Sequence, residues 1–509
     1  MPSEKEMPPE NSAPVDDYED LSGEEEDASD YCKGGYHPVR LQDEFKDGRY
    51  RVVRKLGWGH FSTVWLAYDA QTNHHVALKV VKSAKNYTTA ARDEIELCER
   101  VVQANPSSRG HPFIVQLLDH FVHYGPHGAH VCMVFEVLGE NLLSLIRRYR
   151  RRGGLPLSLV KDITYQILLG LDYMHEDCQM IHTDLKPENV LVCIPNVEAM
   201  IREQLDPALR PALPMSPEAT PQPCLPNGRN VIPTKEPLAD TVSTTQVSFT
   251  SQMGGFSFGQ SAAADGKPST STGATTLSIE RTMEDITLSD PNKAVGSKSP
   301  SSPAIEVSQE LCLSNSPDNL PAISSPTPRP SATPSPPPTK SDKVQVKIAD
   351  LGNACWVNKH FTEEIQTRQY RSPEVILGVK WGPTTDIWSL ACMVFELLTG
   401  DFLFHPKSGK KYTKDDDHLA QMIETIGPFP RQLYLNGQYS REYFNRRGEL
   451  RYITRFDYWS ISERLREEYH WPKDKADAVQ HFLMPMLQLR PDKRATARTM
   501  LSHAWLKAD

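Results

Sequence analysis

The chain has 509 residues, 24% of them charged and 39% hydrophobic, with a formal net charge of −9. That length provides for a sizeable core and about two or three domains' worth of chain, and the acidic balance argues against a general nucleic-acid binder. Nine cysteines lie scattered without a CxxC or Cys/His cluster, so neither a zinc site nor a disulfide framework is indicated. The N-terminus is acidic rather than basic and then apolar, and no run reaches about 18 uncharged apolar residues, so a soluble intracellular protein in a reducing compartment is expected.

Residues 1–30 contain Asp16, Asp17, Glu19 and Asp20 and the run Glu24-Glu25-Glu26-Asp27, with almost no large apolar side chains. They bury too little to offset the entropy of ordering and are expected to form a disordered acidic arm. The arm reads either as a partner for basic peptides, with Ser22 in an acidic context for phosphorylation, or as a solubilising tail. An ordered lead-in begins at Tyr31-Cys32-Lys33-Gly34-Gly35-Tyr36. From Tyr50 the pattern turns to β signals: residues 50–56, then Gly57-Trp58-Gly59-His60-Phe61-Ser62, then residues 63–68. This is a hairpin whose backbone can lie close over phosphates, because Gly57 and Gly59 carry no side chain; Ser62 stands where a third glycine would complete GxGxxG. The strand 76–81 follows with Lys79 within it, placed to contact the α and β phosphates and in need of an anionic partner. The helical stretch 90–100 offers Glu94, Glu96 and Glu99 for that purpose.

Residues 131–140 read as a buried strand entering a glycine-containing connector. Arg147, Arg148, Arg150, Arg151 and Arg152 follow, either a nuclear-import or polyanion patch or a solvated helix end before Gly153-Gly154. Residues 160–175 have helical spacing, with Ile163, Ile167, Leu168, Leu171 and Met174 on one face. They lead into residues 180–192, around which the chain is organised. There His182-Thr183-Asp184-Leu185-Lys186-Pro187-Glu188-Asn189 sets a carboxylate, a lysine two residues on and an amide five residues on. That spacing suits phosphoryl transfer, in which a carboxylate accepts the proton of the attacking hydroxyl and an amide helps to hold magnesium.

Composition then shifts: residues 195–340 hold 23 of the 41 prolines, with abundant Ser and Thr and no sustained periodicity, as in a disordered insert. Its Ser-Pro and Thr-Pro pairs, among them Ser216-Pro217 and Ser335-Pro336, read either as proline-directed phosphosites or as ordinary linker composition. β-like runs at 190–194 and 344–348 flank it, so one domain is expected to be left and re-entered, which loop-closure entropy tolerates. Asp350-Leu351-Gly352 supplies a further magnesium carboxylate, and Tyr370-Arg371-Ser372-Pro373-Glu374 comes next. The apolar stretch 390–398, opened by Asp386-Ile387-Trp388-Ser389, should be a core helix, and Arg494 the ion-pair partner of Glu374.

In this order, the glycine turn, Lys79, Asp184 with Asn189, Asp350-Leu351-Gly352 and Ser372-Pro373-Glu374 resemble the eukaryotic protein kinases of the CMGC group. Within it, residues 56–65 (LGWGHFSTVW), His182-Thr183-Asp184, 350–356 (DLGNACW) and 367–374 (TRQYRSPE), in a domain split by a spacer, resemble the SR-protein kinases. The resemblance covers about Tyr31 to Leu506. It implies an α+β, bilobal fold, with a β-rich small lobe and an α-helical large lobe. Residues 31–195 would form the first part of the domain, 196–341 the spacer and 342–507 the second part.

The resemblance implies ATP and Mg2+ as cofactors. Asp184, Lys186, Lys79 and Glu94 would be catalytic, with Glu94 favoured as the lysine's partner by the family spacing, and Asn189 and Asp350 would bind the metal. Leu56, Gly57, Gly59, Val64, Ala77, Lys79, Phe135, Glu136 and Leu138 would surround the nucleotide, the backbone of Glu136 and Leu138 meeting adenine. The implied substrates are serines of Arg/Ser-rich splicing proteins, docked through Glu449, Glu463 and Glu467 within the segment from about 405 to 472. Chaperone or anchoring proteins on the spacer, a monomer without nucleic-acid or membrane contact, and shuttling between cytoplasm and nucleus complete the expectation. The alternatives are a LAMMER-type kinase, although the sequence EHLAMMER is absent, and a catalytically silent kinase-like scaffold. Thr183 stands where arginine is usual; without that cation a phosphorylated activation segment has less to pair with, and an enzyme active as synthesised is expected.

Overall fold

Alternation with a period of two decides which face of the small-lobe sheet each side chain serves. The computed structural model describes residues 26–205, 256–257 and 344–507; the acidic arm through residue 25, with Ser22, and the Ser-Pro and Thr-Pro pairs lie outside the described residues. The first strands are β1 (Glu44–Phe45), β2 (Tyr50–Gly59), β3 (Ser62–Asp69) and β4 (His74–Val81), followed by helix α1 (Lys85–Gln103), β5 (Leu117–Gly125) and β6 (Gly128–Phe135). They form an antiparallel sheet in the order β1-β2-β3-β4-β6-β5. In β4, Val76, Leu78 and Val80 pack with Tyr50, Val52, Trp65 and Val134 on one face. Ala77 and Lys79 are thereby turned to the other face, where the nucleotide pocket described below lies.

The large lobe takes its shape from one predominantly apolar helix that is buried on all sides. The elements are α2 (Leu142–Arg150), α3 (Leu157–Asp172) with a π-helical turn Tyr173–Cys178, β7 (Met180–Ile181), β8 (Val190–Val192), α4 (Val197–Leu205) and β9 (Phe256–Ser257). After these come β10 (Val346–Ile348), β11 (Cys355–Trp356), α5 (Pro373–Leu377), α6 (Thr384–Thr399), α7 (Lys414–Ile426), α8 (Arg431–Asn436), α9 (Ser440–Tyr443), α10 (Ile461–Glu467), α11 (Lys473–Leu483) and α12 (Ala497–Met500). Every residue of α6 from Thr385 to Thr399 is buried, and the core around it includes Val160, Ile163, Ile167 and Leu168 of α3. Strands β8 and β10 pair antiparallel, Val190 opposite Ile348 and Val192 opposite Val346, so the chain departs into the insert and returns from it across one pair of strands. β7 pairs with β11, and β9 runs parallel to β2 at Gly57 and Trp58. No helix among the described residues is long and apolar enough to cross a membrane.

Two segments depart from the compositional reading. Residues 26–30, expected to belong to the disordered acidic arm, are ordered: Asp27 caps a turn at Ala28–Asp30, Glu26 is buried against Lys55, and Asp30 pairs with Lys82. Residues from 196 were expected to be disordered, yet α4 folds back onto the small lobe. Val197 and Ile201 lie four residues apart on one helical face; Ile201 is 1% exposed and packs with Leu66 and Val137. Glu198 accepts from the His75 backbone N–H at 2.9 Å and sits 3.1 Å from its Nδ1, while Arg202 donates to the Asn73 carbonyl at 2.9 Å. Nine residues are too few for a stable isolated helix, so packing rather than propensity holds α4. Ile201→Ala should lower stability by about 2–5 kcal/mol in denaturant titration. Replacing residues 206–343 with a short Gly/Ser linker removes only the two-residue strand β9 from the sheet and should lower the melting temperature less than a deletion starting at 196, which also removes α4.

Candidate active site

The loop after β7 is shaped by a carboxylate supplied from the core helix. Asp386, at the start of α6 and fully buried, accepts from the backbone N–H groups of His182 at 2.8 Å and Thr183 at 2.9 Å and lies 2.8 Å from His175 Nε2. Burial works against its charge, but the His175 contact, the nearby His182 ring and the backbone donor outweigh it and hold its pKa below the usual aspartate value. Thr183 is thus held at φ 67°, an unfavourable region for a β-branched residue, and its Oγ1 donates to the Asn353 carbonyl at 2.6 Å. The next residue, Asp184, is presented with both carboxylate oxygens engaged. Lys186 Nζ meets Oδ2 at 2.9 Å, and Thr367 donates to Oδ1 from Oγ1 at 2.7 Å and from its backbone N–H at 3.1 Å. Lys186 also donates to Thr367 Oγ1 at 3.0 Å. Burial disfavours the Lys186 cation, yet the carboxylates of Asp184 and Glu188 raise its pKa above the usual lysine value. Each carboxylate oxygen has two acceptor sites, so Asp184 retains capacity for a hydroxyl.

Above this loop, between the lobes, a slot is lined by Val64, Ala77, Lys79, Glu94, Cys98, Val115, Phe135, Glu136, Leu138, Leu191, Ala349, Asp350 and Leu351. Six of the nine sequence-derived nucleotide residues are among them: Val64, Ala77, Lys79, Phe135, Glu136 and Leu138. Leu56, Gly57 and Gly59 stand instead on β2, Gly57 paired with Val64 and Leu56 packed beside Val137. Leu191, Val115 and Ala349, which complete an apolar floor with Leu138, were not read from the sequence, because their contribution comes from strands that meet only in the fold. The Glu136 carboxylate is tied to Lys347 of β10 at 2.6 Å and accepts from the Gln116 N–H at 3.0 Å.

Lys79 Nζ lies 2.7 and 2.9 Å from the two oxygens of Glu94, and each side chain is 8% exposed. Glu94 is therefore the partner, while Glu96 is exposed and Glu99 meets His120 at 3.0 Å on the surface. Burial disfavours the Lys79 cation, but Glu94 and Asp350 hold its pKa above the usual value. Asp350 adopts φ 61°, ψ 73°. Its Oδ1 and Glu94 Oε2 lie 3.4 and 3.6 Å from the point where a Cβ would stand on Gly352. Asn189 donates its amide N–H to the Asp184 carbonyl at 2.9 Å, which leaves its oxygen as an acceptor; its backbone carbonyl accepts from Ala349 N at 2.9 Å, next to Asp350. Among the described residues no group of three or more His, Cys, Asp or Glu is set to hold a metal alone. One carboxylate and one amide fit a magnesium ion that draws its remaining ligands from phosphates and water.

The activation segment, from Asp350 to Glu374, is fixed by apolar packing, main-chain bonds and two ion pairs. Cys355 and Ile365 join Ile181, Val375 and Trp381 in a small apolar cluster. The His360 ring stacks on Trp381 at 3.7 Å, and Trp381 Nε1 donates to Glu363 at 2.9 Å. Arg368 pairs with Asp415, Arg371 donates to the carbonyls of Ile365 and Gln366, and Lys359 lies over the Phe361 ring. At the end of the segment Glu374 and Arg494 form the expected pair at 2.6 and 2.8 Å, both side chains 0% exposed.

The three glutamates read as a docking surface are not equivalent. Glu463 caps its own helix, accepting from Ser460 N and Oγ at 3.0 and 2.8 Å. Glu449 is bonded within a local turn to Asn445, and Glu467 accepts from Trp459 Nε1 at 3.1 Å. A different acidic group lies near that tryptophan. Glu424 accepts from Asp457 N at 3.1 Å, its carbonyl accepts from Trp459 N at 3.1 Å, and partial burial together with the Asp457 and Asp417 carboxylates pushes its pKa up. The sequence held no signal for this grouping, since α7 and residues 457–459 are separated by two intervening elements, α8 and α9.

A β-rich lobe and a helical lobe, with a lysine–glutamate pair, an anchored aspartate and the carboxylate of Asp350 at their junction, define a protein kinase. The protein kinase domain model matches residues 50–201 and 339–506 and breaks where the insert lies. Protein kinase dsk1 of Schizosaccharomyces pombe is 44% identical over 495 residues, spanning 96% of this chain and 86% of the relative. SRSF protein kinase 3 of Homo sapiens is 43% identical over 95% of this chain and 90% of its own length, and Serine/threonine-protein kinase SRPK of Physarum polycephalum 43% over 96% and 92%. The chain belongs to the SRPK family of protein kinases. The phosphoryl donor of such an enzyme is ATP.

The buried Glu374–Arg494 pair makes a stability prediction. Removing one partner strands a charge in the core, so Arg494→Ala should cost about 3–5 kcal/mol in a denaturant titration. Arg494→Lys, lacking the bidentate fork, should recover only part of the loss.

Proposed function

We propose that this kinase transfers the γ-phosphoryl group of ATP to serines of Arg/Ser-rich splicing proteins. The observation that carries the reading is the Asp184–Lys186–Thr367 network beside the slot. As the serine oxygen bonds to phosphorus and the bond to the ADP oxygen breaks, Asp184 takes the hydroxyl proton. Lys186 sits beside the reacting groups as a fixed cation, and Lys79, held by Glu94, meets the α and β phosphates. Magnesium, when bound, neutralises phosphate charge, and Asp350 and Asn189 are the residues that would hold it. The relative named SRSF protein kinase 3 supports the substrate class, and an Arg-rich peptide suits the acidic group of Asp417, Glu424 and Asp457 beside Trp459. The same kinship supports movement between cytoplasm and nucleus, with the insert, taken as a spacer outside the catalytic domain, governing location.

An Arg/Ser peptide and ATP test the reading. Asp184→Ala should lower turnover by about 10²–10⁴-fold while ATP affinity stays within a few fold, and Lys79→Met should also disable transfer; near-wild-type turnover in both would sink it. Rising salt should weaken peptide binding. Asp417→Asn combined with Glu424→Gln should raise the peptide KM with little change in the ATP KM, and an unchanged peptide KM would put the docking surface elsewhere.

A further inference from the structure

The residues before β1 make no contribution to the slot lining, yet they grip the two elements that must be held for phosphoryl transfer. Tyr36 is 1% exposed, and its hydroxyl donates to the Gly59 carbonyl at 2.7 Å, at the glycine turn itself. Glu26 pairs with Lys55, two residues before Gly57, and accepts from Tyr31. On the other side, the carbonyls of Gly34 and Gly35 accept from Ala84 N at 2.9 Å and Ser83 N at 3.1 Å. These residues enter α1, the helix that carries Glu94, and its N-cap Ala84 has no side-chain cap of its own. Lys82 ties the parts together: its N–H donates to the Phe61 carbonyl, and its ammonium pairs with Asp30 at 2.9 Å and lies 4.2 Å from the Tyr36 ring centre.

The lead-in is shaped for this grip. Tyr36 N and Gly35 N bond back to the carbonyls of Asp30 and Cys32, each at 2.9 Å. A Cβ on Gly35 would stand 1.8 Å from the Asp30 oxygen, so only glycine closes the turn. At the tip of the hairpin, the Phe61 ring packs 5.5 Å from Tyr87 of α1. Lead-in, glycine turn and helix start therefore form one connected unit.

We propose that residues 26–36 are a clasp that sets the height of the glycine turn over the nucleotide phosphates and the seat of α1, with Tyr36 as a positioning residue for phosphoryl transfer. The inference rests on the kinase reading above. Without the Tyr36 hydroxyl, the Gly59 carbonyl loses its fixed donor, the turn samples more positions, and binding ATP must order it again.

The test uses the full chain and Tyr36→Phe, which keeps the ring and removes one oxygen. Melting temperature, direct ADP affinity in the presence of magnesium, and the KM values for ATP and an Arg/Ser peptide are measured together. The expected result is an ATP KM and an ADP Kd raised about three- to tenfold, as for one lost hydrogen bond, with the peptide KM within twofold and melting little changed. Asp30→Asn, which removes only the partner of Lys82, should shift nucleotide affinity in the same direction and is read if Tyr36→Phe melts. Wild-type nucleotide affinity in a folded variant, or a rise shared equally by the peptide, overturns the clasp. ADP binding reports on it even if peptide phosphorylation fails in the unmodified chain, an outcome that would instead overturn the proposed substrate.

Discussion

Asp386 is the constraint on which the site depends. A carboxylate buried in the large-lobe core is tolerable only with enough donors, and here the donors are the two backbone N–H groups of the catalytic loop together with His175. The same contacts that satisfy the buried charge force Thr183 into the left-handed region and so aim Asp184. Because Asp386 belongs to α6, whose residues are buried from Thr385 to Thr399, the position of Asp184 is referred to a helix of the core. A site built on a rigid element is held more closely than one resting on loops alone.

Three further buried charges have a fixed counter-charge. Lys79 has Glu94, Lys186 has Asp184, and Arg494 has Glu374. In the activation segment Arg368 is occupied by Asp415 and Arg371 by main-chain carbonyls, while Lys359 lies exposed over the Phe361 ring. Packing of His360 on Trp381 and burial of Ile365 also hold the segment. We propose that these contacts order it without a phosphate, so that the kinase machinery is assembled by folding.

Much of this was legible in the sequence, for identifiable reasons. Phosphoryl transfer needs few residue types at short spacings, so Lys79, Asp184, Asn189 and Asp350 could be read from local strings. The strand at 76–81 and the largely apolar stretch 390–398 were legible as well, and they became β4 and the buried part of α6. What could not be read joins segments distant in the chain. Asp386 looked like the start of a core helix, with nothing to announce that it binds the loop at 182–183. The nine residues of α4 were hidden by the proline-rich composition around them, although Val197 and Ile201 carried a weak helical signal. Glu463 looked like a free carboxylate because a capping box and a docking residue are written with the same letter, and the grouping of Asp417, Glu424 and Asp457 exists only once α7 meets residues 457–459.

The central claim, assembly without an activating phosphate, is tested most directly by following the first turnovers of unphosphorylated enzyme. Protein made in bacteria, treated with phosphatase and confirmed unmodified by mass spectrometry, is mixed with ATP and an Arg/Ser peptide in a rapid-quench experiment. Phosphopeptide should form at the full rate from the first turnover, with no lag and no gain from preincubation with ATP. A lag abolished by preincubation, or inactivity relieved by another kinase, would contradict the account and show that the segment from Asp350 to Glu374 does require a phosphate.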